Sequence, residues 1–280
     1  MLSAFQPQSS PLADGKAKRL ECLPWPMVQA AAQREGSTVI WPMGSLEQHG
    51  PHLPLGTDAL FADRVVEAVI QTLPAELPIW RLPLQHIGFA PEHKEFPGTF
   101  SLRAEQLIAL VESVGSDLAR CGFRRLVMMN GHGGQIALLE VAARQLRANH
   151  PSLAVLPCFL WRGARDLGSL LPEPERSQGL HAGLAETSLM LHLAPNLVGA
   201  ERQADGLHPA SQPPEGWSWE GQAPTAWLTK DLSQSGVIGD PSGATADLGE
   251  TLFDRLVSGW QQRLQTLLSS DWPPSANPGA

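Results

Sequence analysis

The sequence predicts an α/β fold: a three-layer αβα sandwich with a mostly parallel central sheet. Three observations carry this. Apolar runs alternate with amphipathic helical runs between residues 25 and 160, with short connections, the order that a parallel sheet covered on both faces requires. A cluster of acidic and imidazole side chains follows the first apolar run, where an open α/β sheet collects its ligands, at the carboxyl ends of the strands. The length, 280 residues, is near the upper limit for one core and allows one large α/β domain or two small ones, with roughly three quarters of the unfolded chain's surface buried.

The elements follow in order. Residues 1–20 are polar and Pro/Ser-containing and read as a tail; 271–280, rich in proline, read as a second, with the folded domain over 21–270. Trp25–Arg34 reads as a short helix, with Pro26 in its first turn and Gly36 ending it. The run Ser37–Pro42 is the first strand. Ala59–Leu73 is a helix, apolar at Leu60, Phe61, Val65, Val66, Val69 and Ile70. Pro78–Leu84 is a second strand, interrupted by Pro83. Arg103–Cys121 is a helix with Leu107, Leu110, Val111, Val114 and Leu118 on one face. Arg125–Met129 is a strand, Gln135–Asn149 a helix and Leu153–Phe159 a strand. Residues 163–180 read as a long loop and His181–Leu193 as a helix. The stretch 196–241 is irregular and carries Trp217, Trp219 and Trp227; such loops are functional or covered by a partner. A helix over Thr245–Leu268 closes the domain.

Composition excludes several classes. Hydrophobic residues make up 42% and charged residues 17%, a globular balance. A net charge of −8 without a basic stripe argues against nucleic acid as the main partner. Cys22, Cys121 and Cys158 are widely spaced and odd in number, so they read as reduced thiols and not as a disulfide framework or thiolate zinc site. No apolar run reaches the roughly 18 residues of a membrane span, and the N-terminus lacks the apolar core of a signal peptide. The expectation is a cytoplasmic enzyme.

The chemistry is densest in Trp41–Asp58. Glu47 and His49 are two apart, so in extended chain both side chains point one way and reach a common site. Asp58 follows Thr57 at a helix start. It reads as a cap or as a carboxylate bridging two metals, held ionised by the helix N-terminus. In Asn130-Gly131-His132-Gly133-Gly134 the flanking glycines leave the imidazole unobstructed. The pattern lacks G-x-G-x-x-G and a phosphate-binding lysine, so His132 reads as a metal ligand. Glu186 lies among Leu184, Leu189 and Met190, and either faces solvent or coordinates a cation. His181, near that helix start, can point into the same cleft. In the polar loop 85–99, Lys94 and Glu95 read as solvated and His93 as a substrate contact. His150 reads as structural; His86, His192 and His208 carry no signal.

These residues resemble the creatininase (creatinine amidohydrolase) family. The resemblance rests on G-S-L-E-Q-H-G-P-H-L-P-L-G-T-D at 44–58, H-K-E-F-P-G-T at 93–99, N-G-H-G-G at 130–134 and H-A-G-L-A-E-T-S at 181–188. It implies one α/β domain, a dinuclear metal centre and hydrolysis of a non-peptide or cyclic amide, or a formamide, C–N bond. It also implies assembly as a homo-oligomer, commonly a hexamer. It assigns Glu47, Asp58 and His132 to one metal and His49 and Asp58 to the second. Creatininase proper carries a glutamate two residues after the motif histidine, where this chain has Gly134, so Glu186 is the further carboxylate for the second metal. Many relatives also carry Asn where this chain has Gln135.

The expected mechanism is attack on the amide by a water activated between two divalent ions, Zn, Mn or Fe. His181 is the general acid for the leaving nitrogen, Glu186 joins it in catalysis, and His93, Gly133 and Gly134 contact substrate. Competing readings are a non-catalytic metal or ligand binder on the same fold, a nucleotide binder using the Gly131–Gly134 turn, and a peptidase trimming a short peptide. The 196–241 segment is expected to pack on a neighbouring subunit.

Overall fold

Among the described residues four strands form one parallel sheet: β1 (Thr38–Met43), β2 (Ile79–Arg81), β3 (Arg125–Asn130) and β4 (Ala154–Phe159), in the order β2-β1-β3-β4. The computed structural model describes residues 18–163, 166–173, 175–205, 212–221 and 223–273; most of the two expected tails, and His208, lie outside them. Strand register places Met43 beside Asn130 at the carboxyl ends of β1 and β3. The chain leaves β1 toward β2 on one side and returns to β3 on the other. This reversal of direction is where an α/β sheet opens a crevice.

Period-two alternation divides the sheet into two faces. Ile40, Ile79, Val127 and Met129 join one apolar cluster; Val39, Trp41, Met43, Trp80, Leu126 and Met128 join the other. Helices α1 (Trp25–Ala32), α2 (Thr57–Thr72), α3 (Ala104–Cys121) and α4 (Ile136–Asn149) alternate with the strands. Two one-turn helices, α5 (Leu167–Leu170) and α6 (Glu175–Gln178), precede α7 (Leu184–Leu193); α8 (Thr229–Leu232) and α9 (Ala246–Leu268) follow. Phe61, Val65, Val66 and Val69 of α2, with Leu256, Trp260 and Leu264 of α9, cover the first face. Leu107, Val111 and Leu118 of α3, with Leu139, Ala142 and Leu146 of α4, cover the second. The αβα sandwich is as expected. Truncating a side chain as enclosed as Phe61 costs about 3–5 kcal/mol.

Most elements lie within a residue or two of the sequence expectation, and the following differences have a structural reason or add an element. β2 is three residues, because Pro83 cannot donate to a ladder; the pairing resumes beyond it as a bridge between Gln85 and Met43. α1 stops at Ala32. The 163–180 stretch contains α5 and α6. α7 starts at Leu184, not at His181, whose backbone instead exchanges two hydrogen bonds with Ile238.

Two arginines are interior. Arg81 donates to Asp63 Oδ1 and Glu67 Oε2 of α2, at 2.5 and 2.8 Å. Arg125 donates to the carbonyls of Gly36, Ser270 and Trp272, tying the end of α9 to the amino end of β3. At the opposite end, α2 meets β1 closely: a Cβ on Gly44 would stand 2.5 Å from Ala59 N. That approach brings Asp58 over the strand ends.

Candidate metal centre

The centre is built at the carboxyl ends of β1 and β3. Glu47 N donates to Leu55 O and Leu53 N to His49 O, folding loop 44–58 on itself. Glu47 and His49 are fully buried. His49 Nδ1 lies 3.2 Å from Glu47 O, which leaves Nε2 facing Asp58 Oδ1 at 3.4 Å. Asp58 lies in the first turn of α2 and caps nothing. Its Oδ2 accepts from Ser45 Oγ at 2.8 Å and lies 3.1 Å from His132 Nδ1. The two oxygens of one carboxylate thus face different imidazoles.

After β3, Asn130 clips the next turn: its Oδ1 accepts from His132 N and its Nδ2 donates to His132 O. Gln135 holds the clip, donating to Asn130 Oδ1 and Gly44 O. His132 Nδ1 then also faces Glu47 Oε2 at 3.2 Å. Across the site, Glu47 Oε1 is 3.3 Å from His93 Nε2 and 3.9 Å from His181 Nδ1.

His93 is not the peripheral contact expected of a polar loop. It is 1% exposed, on a one-turn helix (Pro91–His93), with Nδ1 held by Gln48 Nε2 and Thr229 Oγ1. His181 Nε2 pairs with Gln48 O at 2.7 Å, and its ring stacks at 4.2 Å from His93 and 4.3 Å from His49. Glu186 Oε2 accepts from Ala182 N at 2.7 Å, and its carboxylate turns inward from α7 and not to solvent. Among the described residues, three sets of ligand atoms gather within 4.8 Å: Glu47, Asp58 and His132; His49, His181 and Glu186; Glu47, His93 and His181. Gly133 and Gly134 line the adjoining cavity. The named site residues therefore converge, and His93 and His181 join the ligand sets.

Charge is poorly balanced by hydrogen bonds. Neither oxygen of Glu47 nor Nε2 of His49 or His132 has a hydrogen-bond partner. Burial pushes Glu47 up, with Asp58 adding to it. Burial works against Asp58 too, but His49 and His132 outweigh it and hold that carboxyl well below its usual range. Against burial, Asp58 lifts His49 to about 9, and Glu47 and Asp58 lift His132 well above the ordinary imidazole range. Burial, then His49, lowers His181 well below that range; burial lowers His93 as well. Burial pushes Glu186 to about 7. A divalent cation would supply this missing positive charge without protons. The two orphaned oxygens of Glu47 and the orphaned Nε2 of His49, with His132 Nδ1 beside Glu47 and Asp58, fit such a cation.

Three supporting residues escaped the sequence reading. Gln48 joins both halves of the site through His93, His181 and Gly236 O. Glu175 is buried under α7 and accepts from Ala185 N and Asp240 N. Glu220, from the Trp-bearing segment, lines the cavity with Glu92. Trp219 and Trp227 line it also, so this segment roofs the centre, while Trp217 is exposed. The cavity is about 800 Å³.

An acid–imidazole centre at the switch point of a parallel sheet defines a metal-dependent hydrolase. The sequence profile described as creatininase, creatinine amidohydrolase, matches residues 21–264. A mycofactocin precursor peptide peptidase of Mycobacterium tuberculosis is 36% identical over 241 residues, 81% of this chain and 84% of that protein. A creatinine amidohydrolase of Pseudomonas putida is 33% identical over 206 residues, 69% and 77% of the two chains. The solved structure described as "Creatininase Mn" aligns with a TM-score of 0.72 at 26% identity, over 90% of this chain and 99% of that one. The chain belongs to the creatininase family. It is a hydrolase of the amidohydrolase class, and no described helix is long and apolar enough to cross a membrane.

Proposed function

We propose that this enzyme hydrolyses a non-peptide or cyclic amide, or a formamide, C–N bond at a centre of two divalent cations. The observation that carries this reading is Glu47: a fully buried carboxylate with neither oxygen hydrogen-bonded, ringed by three imidazoles. Glu47, Asp58 and His132 would hold one cation; His49, Asp58 and Glu186 would hold the other. When bound, such cations acidify water and polarise a carbonyl. Zinc and manganese both suit this donor set.

The chain's own residues do the rest. Asp58 would serve both sites, since its Oδ1 faces His49 and its Oδ2 faces His132. His181 is the proton carrier to the leaving nitrogen: Gln48 O engages Nε2, so Nδ1 exchanges the proton. His93, Gly133 and Gly134 form the wall against which the amide lies, and the indoles of Trp219 and Trp227 exclude water from it.

A second reading, hydrolysis within a short peptide, is favoured by the 36% identity to the mycobacterial peptidase and by the cavity. Its volume lies in the upper part of the range that takes drug-sized ligands, about 300–1,000 Å³. The test is a panel of creatinine, formamides, small lactams and short peptides, offered to cation-loaded enzyme with and without chelator. Turnover of one class, lost with chelator, supports the reading. Chelator-insensitive turnover, or two cations bound with no turnover of any class, sinks it.

A further inference from the structure

His132 carries a feature that its role as a cation ligand does not explain. Its Nδ1 faces Glu47 and Asp58, so Nδ1 is the nitrogen offered to a cation. The other nitrogen, Nε2, is buried, and the acceptor within reach is Glu92 Oε1 at 3.2 Å. Glu92 comes from a different part of the chain, the one-turn helix Pro91–His93. That turn is pinned from two sides: Ala90 N donates to Ser101 Oγ, and Thr229 Oγ1 donates to Glu92 O. Phe89 N, just before it, donates to Gln135 Oε1, the same side chain that steadies the Asn130 clip. The position of Glu92 relative to His132 is therefore built and not incidental.

Gly134 makes the room. A Cβ there would stand 1.8 Å from Glu92 Oε1 and 2.6 Å from His132 Nε2. Any side chain at 134 would displace the carboxylate, the imidazole or both. The Glu92 carboxylate occupies the volume that a residue-134 side chain would otherwise take.

We propose that Glu92 is the positioning residue for His132, accepting the Nε2–H so that the Nδ1 lone pair stays aimed at the Glu47–Asp58 site. This rests on the metal-centre reading above. A ligating histidine commonly donates its second N–H to a carboxylate, which fixes tautomer and ring orientation and strengthens the donor; loss of such a partner typically costs 10–100-fold in metal affinity.

The experiment titrates cation-free, full-length protein with Co²⁺ or Zn²⁺ against a chelating dye. It compares wild type, Glu92→Ala, Glu92→Gln, Gly134→Ala and the double variant, with exposed Glu95→Gln as control. Glu92→Ala should weaken one cation by roughly 10–100-fold and shift the Co²⁺ absorption spectrum. Glu92→Gln, which retains a side-chain oxygen, should lose less. Gly134→Ala should mimic Glu92→Ala, and the double variant should fall short of the product of the two losses, since both act on one histidine. The cation-free melting temperature of Glu92→Gln should match wild type. Equal affinity in wild type and Glu92→Ala overturns the Glu92 assignment and leaves the hydrolase reading standing. So does a matching loss of cation-free stability in both Glu92 variants, which makes the role structural. A wild-type protein that binds no divalent cation overturns both.

Discussion

His181 Nε2 lies 2.7 Å from the carbonyl oxygen of Gln48, across 133 residues of chain. The contact locks the bridge that precedes α7 onto the loop that follows β1, and it leaves His181 Nδ1 as the nitrogen facing Glu47. Since the Nε2–H is committed to a carbonyl, the ring has one working nitrogen. His181→Ala should lower kcat by about 10²–10⁴-fold, the usual share of a general acid–base group, while cation content stays that of wild type. Metal analysis beside steady-state kinetics checks this. A fall in cation content matching the fall in kcat would make His181 a ligand instead.

On the proposed two-cation reading Asp58 would serve both positions, its Oδ1 facing His49 and its Oδ2 facing His132, so its removal should empty both. In wild type, each cation added at 1,000 times its Kd should stabilise the fold by about 4 kcal/mol. The melting temperature should then climb with cation concentration. Asp58→Ala should abolish that climb along with hydrolysis. Differential scanning calorimetry across a Zn²⁺ series reads the effect; a climb that persists in the variant removes Asp58 from the ligand set.

Acid sensitivity should trace in part to Asp205. Its carboxylate accepts from Ser233 Oγ, Gln234 N and Ser235 N, ordering the turn whose Gly236 O holds Gln48. Burial opposes the charge, but these hydrogen bonds prevail and the pKa falls below 3.8. A depressed folded-state pKa adds stability that is present above the unfolded value and lost as pH falls through the folded one. Asp205→Asn should therefore be less stable than wild type at neutral pH, and the gap should close as pH drops below 3.8. Urea midpoints at several pH values measure it; a gap independent of pH refutes the assignment.

Much of the fold was legible because its signals are local. Continuous apolar runs mark the strands, as expected of a sheet buried on both faces, and helical apolar spacing marks the α2, α3 and α4 faces; the strand-end position of Glu47, His49, Asp58 and His132 follows from that order. Arg81 and Arg125 were not legible as interior groups, since their partners lie in α2 and at the end of α9. His181 read as helical because Leu184, Leu189 and Met190 extend an apolar pattern back toward it, and its bridge to Ile238 has no local mark. Gln48, Glu92 and Glu175 have roles fixed by what folds against them. A polar side chain without a periodic partner gives no reading until tertiary structure supplies one.

Trp227 links the roof of the cavity to the centre. Its ring stands edge-on to His93, 6.3 Å between centroids, and it lines the cavity beside Trp219 and Glu220. It contributes no cation ligand, so its loss should leave metal content intact. What it contributes is apolar wall, and an aromatic contact of this kind is worth about 0.5–1.5 kcal/mol beyond its buried area. Trp227→Ala should therefore raise KM by roughly tenfold, equivalent to about 1.4 kcal/mol, with a smaller change in kcat. The rise should be steeper for a substrate long enough to reach the roof than for a small amide confined to the Gly133–Gly134 floor. Kinetics on a short peptide and a small cyclic amide, each against wild type and variant, separate the cases. Equal effects on both would place the reacting group under the roof, and no effect on either would remove Trp227 from the substrate's path.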